Sequence, residues 1–180
     1  MMIEAAKTFL RRFRRNEKGV SAIEFALIAP LMLIIYLGSV EVSLALSIDR
    51  KITSTASALA DLVAQDDVIT DDEIRDILNA GGAIIAPFSA EPLEIRISSI
   101  FMDLSGDVEV QWSDADGMAP LGEGSAFEPP AGVLTQGRSV IMVEVDYRYE
   151  TLFTQLGVKH FDISEVFYLR PRRSMVVSRS

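Results

Sequence analysis

Residues 18–25 read Lys-Gly-Val-Ser-Ala-Ile-Glu-Phe, and the sixteen residues from Phe25 to Val40, FALIAPLMLIIYLGSV, carry no charge. The apolar character extends on both sides of this run, from Val20 to Ile48. A helix of that length can cross a hydrocarbon core about 30 Å thick. Pro30 is compatible with a membrane helix, because neighbouring groups can satisfy the carbonyl that it frees. The sequence therefore predicts a transmembrane helix over residues 20–48.

Charge is distributed unevenly along the chain, which has a formal net charge of −9 and no cysteine. Residues 1–18 carry six basic and two acidic side chains, whereas residues 49–180 carry 11 basic and 22 acidic ones. This layout is typical of a bitopic membrane protein. The positive-inside rule then predicts that residues 1–19 are a basic cytoplasmic leader and that residues 49–180 are exported as one modest domain. The acidic body argues against nucleic-acid binding, because phosphate recognition needs a cationic surface.

Glu24 lies five residues after Gly19, at the start of the predicted membrane helix. A carboxylate is costly in hydrocarbon, so an ionisable residue there is by default a functional hypothesis. Three simpler interpretations remain open. The segment could be a secretory signal cleaved near Ala45-Leu46-Ser47, or an uncleaved signal anchor. Alternatively, Glu24 could sit at the level of the lipid headgroups and merely cap the helix.

The segment Gly19-Val-Ser-Ala-Ile-Glu24-Phe25, followed by Ala26-Leu-Ile-Ala-Pro30-Leu, resembles the N-terminal signature of the TadE-like pseudopilins of the tight adherence (Tad, or Flp) pilus system. The closing Tyr168–Arg173 resembles the end of such proteins. The resemblance implies that a prepilin peptidase cuts between Gly19 and Val20, so that Glu24 becomes the fifth residue of the mature chain. It also implies a bacterial inner-membrane location, with the lipid, other pilins or pseudopilins and the pilus assembly platform as partners.

Cleavage after Gly19 would change the electrostatics of the helix start. It would leave an amine on Val20, one helical turn from Glu24, and the two charges would partly neutralise each other. The Glu24 carboxylate could pair with this amine in its own subunit or in a neighbouring one. Pairing between subunits would set an axial register, because an unpaired charge in an apolar bundle is costly. Glycine at position 19 would let a protease approach the backbone closely.

The exported part is predicted to be α+β. An amphipathic stem, with apolar residues Ile52, Ala56, Leu59, Leu62 and Val63, continues the membrane helix as far as Asp66-Asp67. Thr70 and Glu73 form a capping-box pattern for a short helix, which we expect to stop at residues 79–82. Period-two patterns predict four strands, at 93–98, 108–113, 141–149 and 161–169. We expect a small antiparallel sheet packed on the stem, with Val108, Val110 and Trp112 on one face.

The long Gly/Pro-rich segment between Trp112 and Arg138 is the best candidate for a partner-binding loop, since long loops in compact domains are usually functional or mobile. Arg170, Arg172 and Arg173 indicate a tail that is solvated or touches lipid or a partner. Asp114-Ala-Asp116-Gly117 lacks the spacing of a calcium loop, and His160 is the sole histidine. We therefore expect no catalytic residues, no metal and no cofactor, and we expect that the chain is not an enzyme.

These patterns favour a minor pseudopilin or assembly factor of a Tad-type pilus that contributes to pilus assembly or surface adhesion. The first alternative is a signal-anchored periplasmic binding or scaffold domain without a filament role. An exported enzyme is the second alternative, disfavoured because the sequence has no recognisable catalytic motif.

Overall fold

The computed structural model describes residues 19–151, 157 and 159–180, so the predicted leader lies outside the described residues except for Gly19. The chain divides into two compact units, Met1–Ser43 and Leu44–Ser180. Helix α1, Val20–Ala64, contains Pro30 in its interior and is the longest element. Within the described residues, it is the one helix long and apolar enough to cross a membrane.

In the first unit, the apolar side chains of α1 are exposed. Its most apolar 18-residue window has a mean hydropathy of 2.2, and no part of that window is buried. Ser39 donates its hydroxyl to the carbonyl of Ile35, and Ser43 donates to the carbonyl of Ser39. These bonds satisfy both hydroxyls within the helix, which suits a segment surrounded by lipid. The N-terminal helix therefore has the properties of a membrane anchor.

The second unit contains the last part of α1 followed by the remaining elements. They are β1 (Val68–Ile69), α2 (Asp71–Ile84), β2 (Leu93–Met102), β3 (Val108–Asp116), β4 (Arg138–Glu150), β5 (His160–Leu169) and β6 (Ser178–Arg179). An antiparallel four-stranded sheet has the order β3-β2-β4-β5, and β1 pairs with β6 in a separate parallel pair. The predicted α+β class, with a long helix, a small antiparallel sheet and one short extra helix, is confirmed.

One face of the sheet packs against the stem part of α1. Ile52, Ala56, Leu59 and Val63 are completely buried in this main core, as predicted from their helical spacing. Leu62 differs, since it remains 41% exposed. The sheet contributes alternate residues from its two central strands: Ile95, Ile97, Ile141, Val143 and Val145. Burial of this two-sided apolar layer is the main force that holds the sheet against the stem.

The prediction that Val108, Val110 and Trp112 share one face of β3 is wrong for Trp112, because the strand contains a bulge. Ser99 lies opposite Trp112 and Ile100 lies opposite Val110, so Gln111 has no partner of its own on β2. The extra residue reverses the alternation. Trp112 therefore lies in the main core, whereas Val110 lies in a second core on the other face of the sheet.

Helix α2 begins as predicted and ends later than predicted. The Thr70 side chain accepts from the Glu73 N–H, and the Glu73 carboxylate accepts from the Thr70 N–H, so the capping box is complete. The helix then continues through Gly81 and Gly82 to Ile84. Gly81 is buried, and a Cβ there would collide with Ile95 Cδ1. This glycine thus permits close packing of the helix on the sheet and does not terminate the helix.

Residues 170–180, here called the C-terminal strap, bind to several elements of the second unit, which was not predicted. The backbone N–H of Arg172 donates to the Ala64 carbonyl at the end of α1, and the N–H of Ser139 on β4 donates to the Met175 carbonyl. Trp112 Nε1 donates to the Val177 carbonyl at 2.7 Å. Arg172 also pairs with Asp61. The arginine-rich end is therefore bound to the domain surface and is not simply a solvated tail.

Candidate processing and assembly site

The predicted cleavage position lies at the exact beginning of α1. Gly19 precedes the first helical residue, Val20, and both residues are exposed. A Cβ built at Gly19 would find no atom within 4 Å. No described residue therefore blocks access to the peptide bond between Gly19 and Val20. Such access is what a peptidase needs at a scissile bond.

Glu24 lies in the first turns of the same helix. Residues four apart are neighbours on a helix surface, so the Glu24 side chain lies over the turn that begins at Val20. Glu24 is exposed, and none of the ion pairs within the described ranges involves it. The N-terminal end of a helix carries partial positive charge, which favours a carboxylate there. An amine created at Val20 would add a full charge at the same end.

The surroundings of Glu24 in the first unit are apolar. Ile23, Phe25 and Leu27 are 64%, 72% and 73% exposed, and Glu24 is the only ionisable side chain between Gly19 and Ile35. A carboxylate on such a surface is stabilised most by a fixed cation nearby. The geometry thus allows pairing with an amine at Val20 of the same subunit or of an adjacent one.

The loop after β3, which was predicted to contact a partner, packs against the sheet. Its apolar residues Leu121, Phe127, Val133 and Leu134 pack on the second core, on the sheet face opposite the stem. Its backbone also pairs with the outer edge of β3, where the Phe127 N–H donates to the Val108 carbonyl at 3.1 Å. The loop therefore covers a sheet edge that would otherwise be exposed. The sequence analysis did not predict this cover, and the four apolar residues are the sequence signal that could have indicated it.

The acidic residues that superficially resemble a calcium loop belong to other interactions. Asp114 and Asp116 are in β3, and the Asp114 carboxylate accepts from Arg179 Nε and Nη2 at 2.9 and 3.2 Å. His160 is the exposed first residue of the edge strand β5. Among the residues that the structure describes, no three His, Cys, Asp or Glu side chains are grouped so that they could hold a metal ion.

Comparison with known proteins gives one family match, to the model described as TadE-like protein, over residues 19–61. No curated protein matches the chain, and no solved structure does. The matched range begins at the predicted cleavage residue, includes Glu24 and the apolar run, and ends within α1. The resemblance seen in the sequence is therefore confirmed over residues 19–61, which match the TadE-like family model.

Proposed function

We propose that this chain is a minor pseudopilin or assembly factor of a Tad-type pilus and contributes to pilus assembly or surface adhesion. The observation that carries the proposal is the coincidence of three boundaries. The TadE-like match begins at Gly19, helix α1 begins at Val20, and the uncharged apolar run begins directly after Glu24. A plain anchor needs the apolar run alone, and it gives no reason for a glycine and a carboxylate at this spacing.

In the proposed mechanism, a prepilin peptidase removes residues 1–19 and leaves Val20 as the mature N-terminus. The new amine lies at the positive end of α1, beside the Glu24 carboxylate. When α1 packs among other apolar helices, an unpaired carboxylate would be strongly unfavourable. Pairing Glu24 with the amine of a neighbouring subunit would remove that cost only in the correct axial register.

The proposal also assigns a location and partners. The basic leader remains in the cytoplasm, α1 spans the bacterial inner membrane once, and residues 49–180 lie on the periplasmic or extracellular side. The partners are the peptidase, other pilins or pseudopilins, the assembly platform and membrane lipid. The chain acts through these contacts, without a cofactor and without enzymatic activity of its own.

Replacement of Glu24 by Gln tests the role of the charge in assembly. We expect E24Q to be cleaved normally but to reduce assembled pili severalfold, because the neutral side chain cannot pair with the amine. Sheared pili are quantified by immunoblot, and cleavage is read from the gel mobility of the cell-associated chain. D49N is the matched control, since Asp49 is an exposed carboxylate of α1 outside the uncharged run. Normal pilus yield in E24Q would refute the pairing mechanism.

The alternative is a signal-anchored periplasmic binding or scaffold domain. One observation favours it: the family match stops at residue 61 and does not extend over the sheet. A scaffold would need only an anchor, so substitutions at Gly19 and Glu24 would leave its activity unchanged. Loss of piliation on deletion of the chain, restored by the wild type but not by G19L, would separate the two functions.

A further inference from the structure

The β2–β3 hairpin and the loop that follows β3 enclose an open cleft of about 720 Å³. Its floor is apolar and includes Met102, Val108, Phe127 and Leu134. Pro129 and Pro130 form part of one wall, and Gly106 and Asp107 of the hairpin turn form part of another. A cleft of this size can receive one or two side chains of an extended segment.

Hydrogen bonds fix the walls of the cleft. In the hairpin turn, the Asp103 carboxylate accepts from the backbone N–H groups of Gly106 and Asp107 at 2.8 and 2.9 Å. In the facing loop, the Phe127 N–H donates to the Val108 carbonyl on β3. The Val133 N–H donates to the Pro130 carbonyl at 3.3 Å. The cleft is therefore preformed, and little ordering would be needed on binding.

The rim of the cleft is acidic. Asp107, Glu109 and Glu128 line it, and no basic side chain of the described residues does. Within residues 19–151, 157 and 159–180, neither Glu109 nor Glu128 forms an ion pair. Residues 49–180 also carry twice as many acidic as basic side chains, 22 against 11. Two copies meeting at this cleft would place like charges together, whereas a basic partner would be attracted.

We propose that this cleft binds a basic segment of another polypeptide. Lysine or arginine side chains of the segment pair with Glu109 and Glu128, and an adjacent aliphatic side chain enters the floor beside Phe127. The apolar floor alone would accept many ligands, and the acidic rim selects a cationic one. This inference does not depend on cleavage at Gly19 or on a role in a pilus.

The test uses the full chain in zwitterionic detergent micelles and a labelled peptide, acetyl-Ser-Lys-Leu-Arg-Ser-amide, followed by fluorescence anisotropy. A peptide with Glu in place of Lys and Arg reports binding that is independent of charge. We expect the basic peptide to bind more tightly, with an affinity that falls as salt is added. Equal binding of the two peptides would overturn the proposal.

Two substitutions locate the binding at this cleft. The double variant E109Q/E128Q should weaken binding about fivefold, in line with two partly exposed ion pairs. Its control, E91Q/E150Q, makes the same charge change at two exposed glutamates away from the cleft and should bind as the wild type. A131W should block the cleft, whereas A83W on the exposed face of α2 should not. Wild-type affinity in both E109Q/E128Q and A131W would overturn the proposal. Self-association of the chain that is abolished by A131W would also overturn it, because the occupant would then be a second copy.

Discussion

At the residue scale, two carboxylates on neighbouring strands oppose each other. Glu94 on β2 is the direct partner of Asp146 on β4, and both are half-buried. The next residues of the same ladder on that face, Arg96 and Glu144, form an ion pair with Arg96 Nε 3.1 Å from Glu144 Oε2. Like charges directly opposite each other destabilise a sheet. The Glu94–Asp146 pair therefore opposes folding at neutral pH.

We predict that D146N stabilises the chain by about 0.5 kcal/mol at low salt, because it removes this repulsion. The measurement is the urea midpoint of the full chain in detergent, followed by near-UV circular dichroism. The gain should shrink as salt is added. E123Q is the control, because Glu123 is exposed in the loop after β3, away from the strand pair. An equal gain in E123Q would show that general charge reduction is responsible.

At the scale of elements, α2 shows how a local cap depends on pH. Hydrogen bonds from the Thr70 backbone and side chain lower the pKa of Glu73 below its ordinary value of 4.5. A carboxylate with a lowered pKa in the folded state stabilises that state above pH 4.5, and this contribution is lost as the pH falls through the folded-state pKa.

We therefore predict that E73Q is less stable than the wild type at pH 7 and that the difference disappears as the pH falls through the folded-state pKa of Glu73, which lies below 4.5. Urea midpoints measured between pH 3 and 7 test this expectation. D76N on the same helix is the control, because Asp76 is exposed and lies outside the cap. A difference between E73Q and the wild type that is constant across this range would contradict the account of the cap.

The close contact of α2 with β2 gives a second prediction at this scale. G81A should destabilise the chain by about 1 kcal/mol, because the added Cβ collides with the buried Ile95 and outweighs the gain in helix propensity. G82A is the comparison, since its Cβ would lie 3.2 Å from the Ala90 Cβ at the partly exposed side of the helix. Thermal unfolding ranks the two. Equal midpoints would show that Ile95 adjusts without cost.

These elements also show what could be predicted from the sequence. The capping box was predicted because Thr70 and Glu73 satisfy each other locally, without help from the rest of the fold. The end of α2 and the bulge at Gln111 depend on contacts with other elements. Gly81 lies within the helix because the absence of a Cβ leaves room for the Ile95 side chain. The bulge places Val110 in the second core. Neither constraint is visible in a window of neighbouring residues.

At the scale of the whole molecule, Arg179 fastens the C-terminal strap to two elements. Its guanidinium pairs with Asp114 on β3 and with Asp71 in the first turn of α2, at 2.9 and 2.7 Å. The hydrogen bond with Asp114 raises the pKa of Arg179, whose guanidinium is charged in any case. The Ser180 N–H also donates to the Ile69 carbonyl of β1. Elements far apart in the chain are thus joined by its last three residues.

We predict that R179M destabilises the chain by about 2 kcal/mol, since it leaves the mostly buried Asp114 carboxylate without its cation. D114N should recover part of this loss in the double variant, because the unpaired charge is then removed. Urea unfolding of the two single variants and the double variant measures the coupling. Additive losses would show that the two side chains act independently.

The candidate processing site is defined by a local sequence pattern, whereas much of the head is not. Gly19, Val20 and Glu24 lie within one short stretch, and the adjoining uncharged run sets their environment. The strap is held by contacts between residues far apart in sequence, such as the hydrogen bond from Trp112 to the Val177 carbonyl. The cover over the second core is held by others, such as the hydrogen bond from the Phe127 N–H to the Val108 carbonyl. No local pattern in residues 170–180 indicated that they would contact both helices and three strands of the second unit.

The most direct test of the central claim is the mass of the mature chain, determined by intact-protein mass spectrometry from cells that contain the prepilin peptidase. We predict a mature N-terminus at Val20, with or without a methyl group, and an uncleaved chain in cells that lack the peptidase. G19L should remain uncleaved. G38L is the control and should be cleaved, because Gly38 lies within α1 and a Cβ there also meets no atom within 4 Å. An N-terminus that begins at residue 1 or 2 whether or not the peptidase is present would contradict the account.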